Sequence, residues 1–234
     1  MPTAERLPPD AEQYHTLYEW ARGSFPDGVS VCDIGGGGHA LDFPSRIRPW
    51  AGRMVGVDPD PGVLDRPWYD EAHQALVEDW APTTDERFDL AFAIYVLEHV
   101  ETPRPFLNAA RSLLHDGGTL LGVTPNLWHY FGLTGLAANR LGVEDWLLNR
   151  ARDPKLVEEY HFPVQYRLNS LRRIEKLALD AGFRRVTYKV IEDPGMFVTY
   201  FPRRLKPLAG EYSKLVRRLA RPELYGTIVF RLDA

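Results

Sequence analysis

The chain has 234 residues, of which 44% are hydrophobic and 26% are charged, a balance typical of a globular protein with one sizeable core. Its 28 basic and 32 acidic residues give a net charge of −4, which argues against a surface that binds nucleic acid or an anionic membrane as a whole. A single cysteine, Cys32, excludes an intrachain disulfide, and no apolar run approaches the roughly 20 residues that span a bilayer. The N-terminal segment MPTAERLPPD lacks a signal-peptide pattern, so we expect a cytoplasmic protein.

The first half of the chain alternates strand-like and helix-like segments. The predicted strands are Val29–Ile34, Arg53–Asp58, Gln74–Val77, Phe88–Tyr95 and Thr119–Thr124. A helix with Pro103 and Pro105 near its start is predicted between the last two strands. Apolar strands separated by helices predict a parallel sheet that is covered on both faces.

The second half begins with an aromatic segment, residues 126–165, that shows no clear strand pattern. We interpret this segment as an insertion that caps the C-terminal edge of the sheet within a single domain, residues 1–234. A helix is predicted over Leu168–Ala181, ended by Gly182, and the last two predicted strands are Phe183–Ile191 and Leu224–Leu232. We expect these two strands to form an antiparallel pair at one edge of the sheet.

A nucleotide-type site is indicated where the first predicted strand ends in Asp33 and a run of four glycines. Glycine lets the backbone turn sharply and leaves room for a ligand against it. The next acid at a strand end is Asp58, whose carboxylate can accept hydrogen bonds from both hydroxyls of a ribose. Asp79 and Trp80 follow the third predicted strand, where a carboxylate can accept from the adenine amino group and an aromatic ring can pack on the base.

Two nucleotide cofactors fit this pattern. The spacing Gly35-x-Gly37-x-x-Ala40 also fits the fingerprint of nicotinamide dinucleotide enzymes. However, Asp33 is poorly placed beside a pyrophosphate and well placed beside an ammonium group, such as that of the methionine end of S-adenosylmethionine (SAM). The chain also contains no Tyr-x-x-x-Lys pair and has little length for a separate substrate domain. SAM is therefore favoured, and a nicotinamide oxidoreductase is the remote alternative.

The order of motifs VCDIGGGG, VGVDPD, LVEDW, FDLAFAIYVLEHV and LLHDGGTLLGVTPN resembles that of class I SAM-dependent methyltransferases, and more narrowly a bacterial group that contains many small-molecule methyltransferases. The resemblance covers residues 28–126 in ordered motifs and residues 166–192 more loosely. It implies an α/β fold that is Rossmann-like and doubly wound, with a mainly parallel seven-stranded sheet, an antiparallel last strand and the aromatic insertion after strand five. It also implies SAM as cofactor and S-adenosylhomocysteine as product.

The resemblance further implies which residues contact SAM, because each matches a motif position in this sequence. The matched positions are Asp33, Gly35 and Gly37 at the methionine moiety, Asp58 at the ribose, Asp79 and Trp80 at the adenine, and Tyr95 on the sulfonium side. Pro59, next to Asp58, is also expected to bind the cofactor. His39 stands where the family usually has a third loop glycine, a departure that concerns the packing of the loop and not the class of protein.

Three histidines are candidate general bases for methylation of a hydroxyl, a reaction that requires alignment of the acceptor, exclusion of water and removal of a proton. His161 is our first choice because it lies beside Tyr160 where the insertion ends, and histidine titrates near neutral pH. His99 belongs to a run that is common in the family whatever the acceptor, so it can equally be a structural brace. His129 follows the fifth strand and can act as a base or shape the pocket.

The expected function is methylation of a hydroxyl oxygen of a small molecule, such as a sugar or natural product. The alternatives are an N-methyltransferase and a non-catalytic SAM-binding sensor or partner domain. Some relatives bind a divalent ion through Glu-x-x-Glu-His and a later histidine, but here the first carboxylate is replaced by Tyr95. A site of Glu98, His99 and a third histidine is thus only an alternative, and we expect no metal. We also expect no nucleic-acid partner and no membrane span, and a homodimer stays open.

Overall fold

The protein is described by a computed structural model over residues 3–7, 13–37, 43–142, 163–195 and 206–234. The strands are β1 (Thr3–Leu7), β2 (Val29–Ile34), β3 (Ala51–Asp58), β4 (Glu71–Gln74), β5 (Phe88–Ile94), β6 (Leu114–Pro125), β7 (Arg185–Ile191) and β8 (Thr227–Asp233). The helices are α1 (Gln13–Ser24), α2 (Phe43–Ile47), α3 (Val77–Trp80), α4 (Pro103–Ser112), α5 (Tyr130–Arg140), α6 (Leu171–Asp180) and α7 (Lys206–Arg218). None of these helices is long and apolar enough to cross a membrane.

The strands form one sheet in the order β1-β7-β8-β6-β5-β2-β3-β4. Every neighbouring pair is parallel except those made by β8, which is antiparallel to both β6 and β7. The predicted α/β fold with a reversed last strand is therefore confirmed, and β1 adds a strand that the sequence pattern did not predict. The late antiparallel pair lies inside the sheet rather than at its edge, because β1 pairs with the outer side of β7.

The third strand lies earlier in the chain than predicted. The prediction placed it at residues 74–77, whereas β4 spans Glu71–Gln74 and the following residues form the single turn α3. The backbone N–H groups of Asp79 and Trp80 both donate to the Leu76 carbonyl and close this turn. Val77 and Trp80 are buried three residues apart, a spacing that suits a helical turn and not a strand. The pattern of β4 is weak because this strand pairs on one side only.

Helices cover both faces of the sheet, as predicted. On one face, α4, α6 and α7 contribute Phe106, Ile174 and Val216 to a large apolar cluster. On the other face, α1 and α2 contribute Leu17 and Phe43 to a second cluster. Burial of apolar side chains on both faces, at about 25 cal/mol per Å², is the main force that holds the helices to the sheet.

The chain changes direction across the sheet between β2 and β5. From β2 it proceeds outward through β3 to β4, and it then returns to β5 on the other side of β2. In open α/β sheets such a switch point leaves a crevice at the carboxyl ends of the two strands, and ligands bind there. The predicted insertion continues from β6 at this same edge. Its described parts are residues 126–142, which include α5, and residues 163–165.

Candidate cofactor and acceptor site

The glycine loop after β2 lies directly in the crevice. Gly35 has a φ of +90°, and a Cβ atom at this position would overlap the side chain of Val96 in the loop after β5. The Gly35 N–H donates to the carbonyl of Val57 at 2.8 Å, which ties the loop to β3. Glycine is therefore required here both for the backbone conformation and for the close approach of the two loops.

Asp58 lies beneath the loop and both of its carboxylate oxygens are engaged. Oδ2 accepts from the N–H of Gly37 at 2.9 Å, and Oδ1 accepts from the N–H of Asp60 at 2.7 Å. Burial raises the pKa of Asp58, and these two hydrogen bonds act in the opposite direction. The two hydrogen bonds hold Asp58 in place. Because each carboxylate oxygen can accept two hydrogen bonds, Asp58 keeps acceptor capacity for a ligand.

Asp33 is a second buried carboxylate, with only 4% of its surface exposed. Burial raises the pKa of Asp33 to about 7, although a hydrogen bond from the Tyr69 hydroxyl lowers it, and nearby Asp58 raises it further. The guanidinium of Arg66, which donates to the Gly37 carbonyl at 2.6 Å, lowers the pKa of Asp33 more weakly. A carboxylate in this setting is suited to a cationic ligand that offsets the loss of hydration.

Sequence reasoning missed Tyr69, which packs into a space left by two glycines. A Cβ atom at Gly36 or at Gly56 would overlap the Tyr69 side chain. Burial, followed by the charge of Asp33, raises the pKa of the Tyr69 phenol, so it remains a donor to that carboxylate. The tyrosine in the segment RPWYD gave no sign of this role, because the contact depends on the approach of two separate strands.

The two residues predicted to contact adenine, Asp79 and Trp80, differ in their burial. Asp79 is exposed, whereas Trp80 is 7% exposed and belongs to the core. The Trp80 ring is stacked on His73 at a centroid distance of 4.7 Å and lies near Phe88. Pro59, which follows Asp58 at the end of β3, is half-buried.

Tyr95 follows β5 and has a positive φ of 56°, an uncommon conformation for a residue other than glycine. Its N–H is fixed to the Val123 carbonyl of β6 at 2.8 Å. Its hydroxyl accepts from Nε2 of Gln13 at 3.3 Å and also hydrogen-bonds with Tyr14. The start of α1 therefore covers the end of β5, a contact that the sequence pattern did not indicate.

The loop after Tyr95 contains Glu98, which is 2% exposed, and burial raises its pKa to about 8. The Thr124 hydroxyl lies 3.0 Å from Oε2 of Glu98 and 2.5 Å from the side-chain amide of Asn169. With the amide oxygen toward Thr124, that oxygen also accepts from the Glu98 N–H at 3.2 Å. These contacts join Glu98, Thr124 and Asn169 in one buried hydrogen-bonded network.

The same loop contacts the returning end of the insertion. The carbonyl of Glu98 accepts from the N–H groups of Gln165 and Tyr166, at 2.6 and 3.1 Å. Nδ1 of His99 lies 3.3 Å from the Pro163 carbonyl. Glu98 and His99 are thus placed to brace the insertion. Among the residues that the structure describes, no group of three or more histidine, cysteine or acidic side chains is close enough to hold a metal ion.

His129 is 2% exposed and forms the N-cap of α5, where its Nδ1 accepts from the Phe131 N–H at 3.3 Å. Its Nε2 lies 3.7 Å from a carboxylate oxygen of Glu192, and the rings of Tyr130 and Tyr212 pack around it. Burial acts to raise the pKa of Glu192, but hydrogen bonds from His129 and Ser213 outweigh it and lower that pKa. Both ring nitrogens of His129 therefore face protein partners. His161 lies outside the described residues.

The fold and this site define a class of protein: an α/β domain that holds two buried carboxylates around a glycine loop at the switch point of its sheet. Residues 9–188 match the model of a methyltransferase domain family, and the chain belongs to this family of SAM-dependent methyltransferases.

Individual relatives agree with this assignment. A ubiquinone biosynthesis O-methyltransferase of Azorhizobium caulinodans is 36% identical over an alignment of 107 residues, and the match covers 42% of this chain and 41% of that protein. The match thus spans about two fifths of the length of this curated relative. A SAM-dependent methyltransferase of Archaeoglobus fulgidus superposes over 95% of both chains with a TM-score of 0.59 and 14% identity. The phosphoethanolamine N-methyltransferase 2 of Haemonchus contortus, solved with S-adenosyl-L-methionine, superposes over 94% of this chain and 52% of that one, with a TM-score of 0.54 and 14% identity. At such identities these two structures show the fold alone.

Proposed function

We propose that this protein transfers the methyl group of SAM to a hydroxyl oxygen of a small molecule, such as a sugar or natural product. The observation that carries the proposal is the pair of buried carboxylates, Asp33 and Asp58, on either side of the glycine loop at the switch point. The O-methyltransferase relative supports a hydroxyl as acceptor.

The residues of the crevice fit SAM. Asp33 suits the ammonium group, because a cation offsets the burial that raises the pKa of this carboxyl. Asp58 keeps acceptor capacity for the ribose hydroxyls while the N–H of Gly37 fixes it under the loop. Asp79 and Trp80 are the adenine contacts that we propose, and Pro59, next to Asp58, is a further cofactor-binding residue. When bound, SAM supplies a methyl group on a positively charged sulfur.

Tyr95 has the position to orient the reacting end of this site. Its strained backbone is held by Val123, and its side chain is held by Gln13 and Tyr14 of α1. A fixed aromatic wall aligns the acceptor and excludes water, which are the main requirements of an in-line displacement.

The insertion, residues 126–165, forms the acceptor pocket in our proposal. Trp128 is 54% exposed at the start of this segment, where an aromatic ring is available to an acceptor. His161 is the general base that we propose. His129 has both ring nitrogens turned to protein groups, and His99 lies against Pro163, so these two histidines serve as positioning residues.

Calorimetry with SAM, S-adenosylhomocysteine and NAD tests the cofactor assignment, and only the first two are expected to bind. Release of S-adenosylhomocysteine is then followed with a panel of phenols, sugars and amines, and mass spectrometry reports the gain of one methyl group. Turnover of hydroxyl acceptors alone supports the proposal. Turnover of amines alone would make the protein an N-methyltransferase, and binding of SAM without turnover of any acceptor would favour a SAM-binding partner or sensor.

A further inference from the structure

A surface cleft of about 650 Å³ lies between the N-terminal ends of α4 and α6, outside the site described above. Its size falls within the range of pockets that take small ligands. The residues that line it are Glu101, Pro103, Arg104, Arg167, Arg172, Arg173, Lys176 and Leu177. Five of these eight side chains are cationic and one is acidic, so the cleft is strongly positive in a chain whose net charge is −4.

Internal ion pairs neutralise only part of this charge. Arg104 and Lys176 share the carboxylate of Asp180, at 3.0 and 2.8 Å. Glu101 is the acidic residue that lines the cleft, and Asp180 pairs with two of the five cations. A concave surface with an excess of one charge focuses the electrostatic field and concentrates ions of the opposite sign.

The remaining three guanidinium groups make no ion pair within the described part of the chain. Arg167 donates to the carbonyl of Glu101 at 2.9 Å, and Arg173 donates to the carbonyl of Arg167 at 2.9 Å. These bonds to the backbone hold the two side chains in place without cancelling their charge. Arg172 is exposed and has no hydrogen-bonding partner among the described residues.

The cleft opens at the same edge of the sheet as the candidate active site. α4 follows β5 and α6 precedes β7, and β5 and β7 run in the same direction, so both helices begin at the carboxyl edge of the sheet. Arg167 directly follows Tyr166, whose N–H bonds to the Glu98 carbonyl in the loop after Tyr95. The end of the insertion, which bonds to the loop after Tyr95, thus leads directly into the cleft.

We propose that this cleft binds a phosphate or diphosphate group carried by the methyl acceptor. Guanidinium groups match the oxygens of phosphate with paired, charge-assisted hydrogen bonds, and three arginines that line the cleft make no ion pair among the described residues. The inference rests on the proposed function, since it names a chemical class for the acceptor of that same site.

The first test is titration calorimetry of the full chain with inorganic pyrophosphate. Loss of Arg172 and Arg173 together, in R172A/R173A, is expected to weaken pyrophosphate binding about tenfold, the scale of a lost charge-assisted interaction. The matched control is Arg218→Ala, which removes an exposed cation from α7 and should leave the affinity unchanged. Both variants should bind SAM like the native protein. Equal weakening in the two variants, or no binding of pyrophosphate to the native protein, would overturn the assignment of the cleft.

The second test compares phosphorylated and dephosphorylated forms of the hydroxyl acceptors that are turned over. R172A/R173A should raise KM for the phosphorylated form about tenfold, leave its kcat unchanged, and leave KM for the dephosphorylated form unchanged. Turnover of both forms with equal KM in the native protein overturns the inference and leaves the proposed function standing. Pyrophosphate binding that depends on these arginines, without methylation of any hydroxyl, overturns the proposed function and the link to the acceptor, while the anion site itself stands.

Discussion

Replacement of Asp33 with asparagine, combined with a change of pH, tests the role of this buried carboxyl. The pKa of Asp33 in the free protein is about 7, because burial disfavours the charged form. The ammonium group of SAM should favour that form, so binding should release a proton at lower pH. The affinity for SAM is therefore expected to rise with pH up to about 7 and then to level off.

The size of this pH effect on SAM affinity follows from the fraction of the free protein in which Asp33 is already ionised. With a pKa of about 7, roughly 3% of Asp33 is ionised at pH 5.5 and about half at pH 7. The expected gain in affinity over this interval is about sixteenfold, or about 1.6 kcal/mol. At pH 6, about 0.9 proton should be released for each SAM bound.

Calorimetry in buffers of different ionisation enthalpy measures both the affinity and the proton release. Asp33→Asn should bind SAM more weakly and lose the pH dependence, since the amide does not titrate in this range. Asp27→Asn removes an exposed carboxylate elsewhere and serves as the control. An affinity of the native protein that stays constant from pH 5.5 to 7, or a slope that persists in Asp33→Asn, would refute the reasoning.

The remaining predictions concern three other residues of the site. Asp58→Ala should weaken SAM binding by about 2–3 kcal/mol, the scale of lost charge-assisted hydrogen bonds, and unchanged affinity in calorimetry would remove Asp58 from the site. The folded pKa of Glu98 is about 8 against an ordinary 4.5, so the stability that its neutral form contributes is complete below about pH 4.5 and is lost as the pH rises to about 8. Glu98→Gln should therefore lose less stability than the native protein between pH 6 and 9, with the free energy of unfolding measured by denaturant titration. If the free energy of unfolding falls equally with pH in the variant and the native protein, this prediction is wrong. His161→Ala should lower turnover by about 10²–10⁴-fold with little change in SAM affinity, whereas near-full turnover would make His161 a brace.

The local motifs predicted that the glycine loop and the acid at the end of the next strand would lie together. Gly35 and Asp58 follow buried strands, and parallel strands bring their carboxyl ends to one edge, so sequence order alone places the two residues together. The structure confirms this proximity through the hydrogen bond between Gly37 and Asp58. The reversed last strand was likewise expected, although its place inside the sheet depended on an N-terminal strand with no clear pattern.

The roles of Trp80 and Tyr69 required the tertiary structure. Trp80 stands in a motif position that suggests an adenine contact, and only the structure shows that its ring also packs on His73 and belongs to the apolar core. Tyr69 reaches Asp33 because Gly36 of the glycine loop and Gly56 of β3 leave space for its ring.

The sequence by itself determined the fold class, the glycine loop and the strand-end acids, because hydrophobic periodicity and glycine positions act over a few residues. The tertiary structure decided which polar groups are buried and what they face. The bond between Glu98 and Thr124, the contact of His129 with Glu192 and the cationic cleft between α4 and α6 each join segments that are far apart in the chain. Burial and hydrogen bonding, which set the charge state of such groups, depend on these long-range contacts and leave no trace in the local pattern.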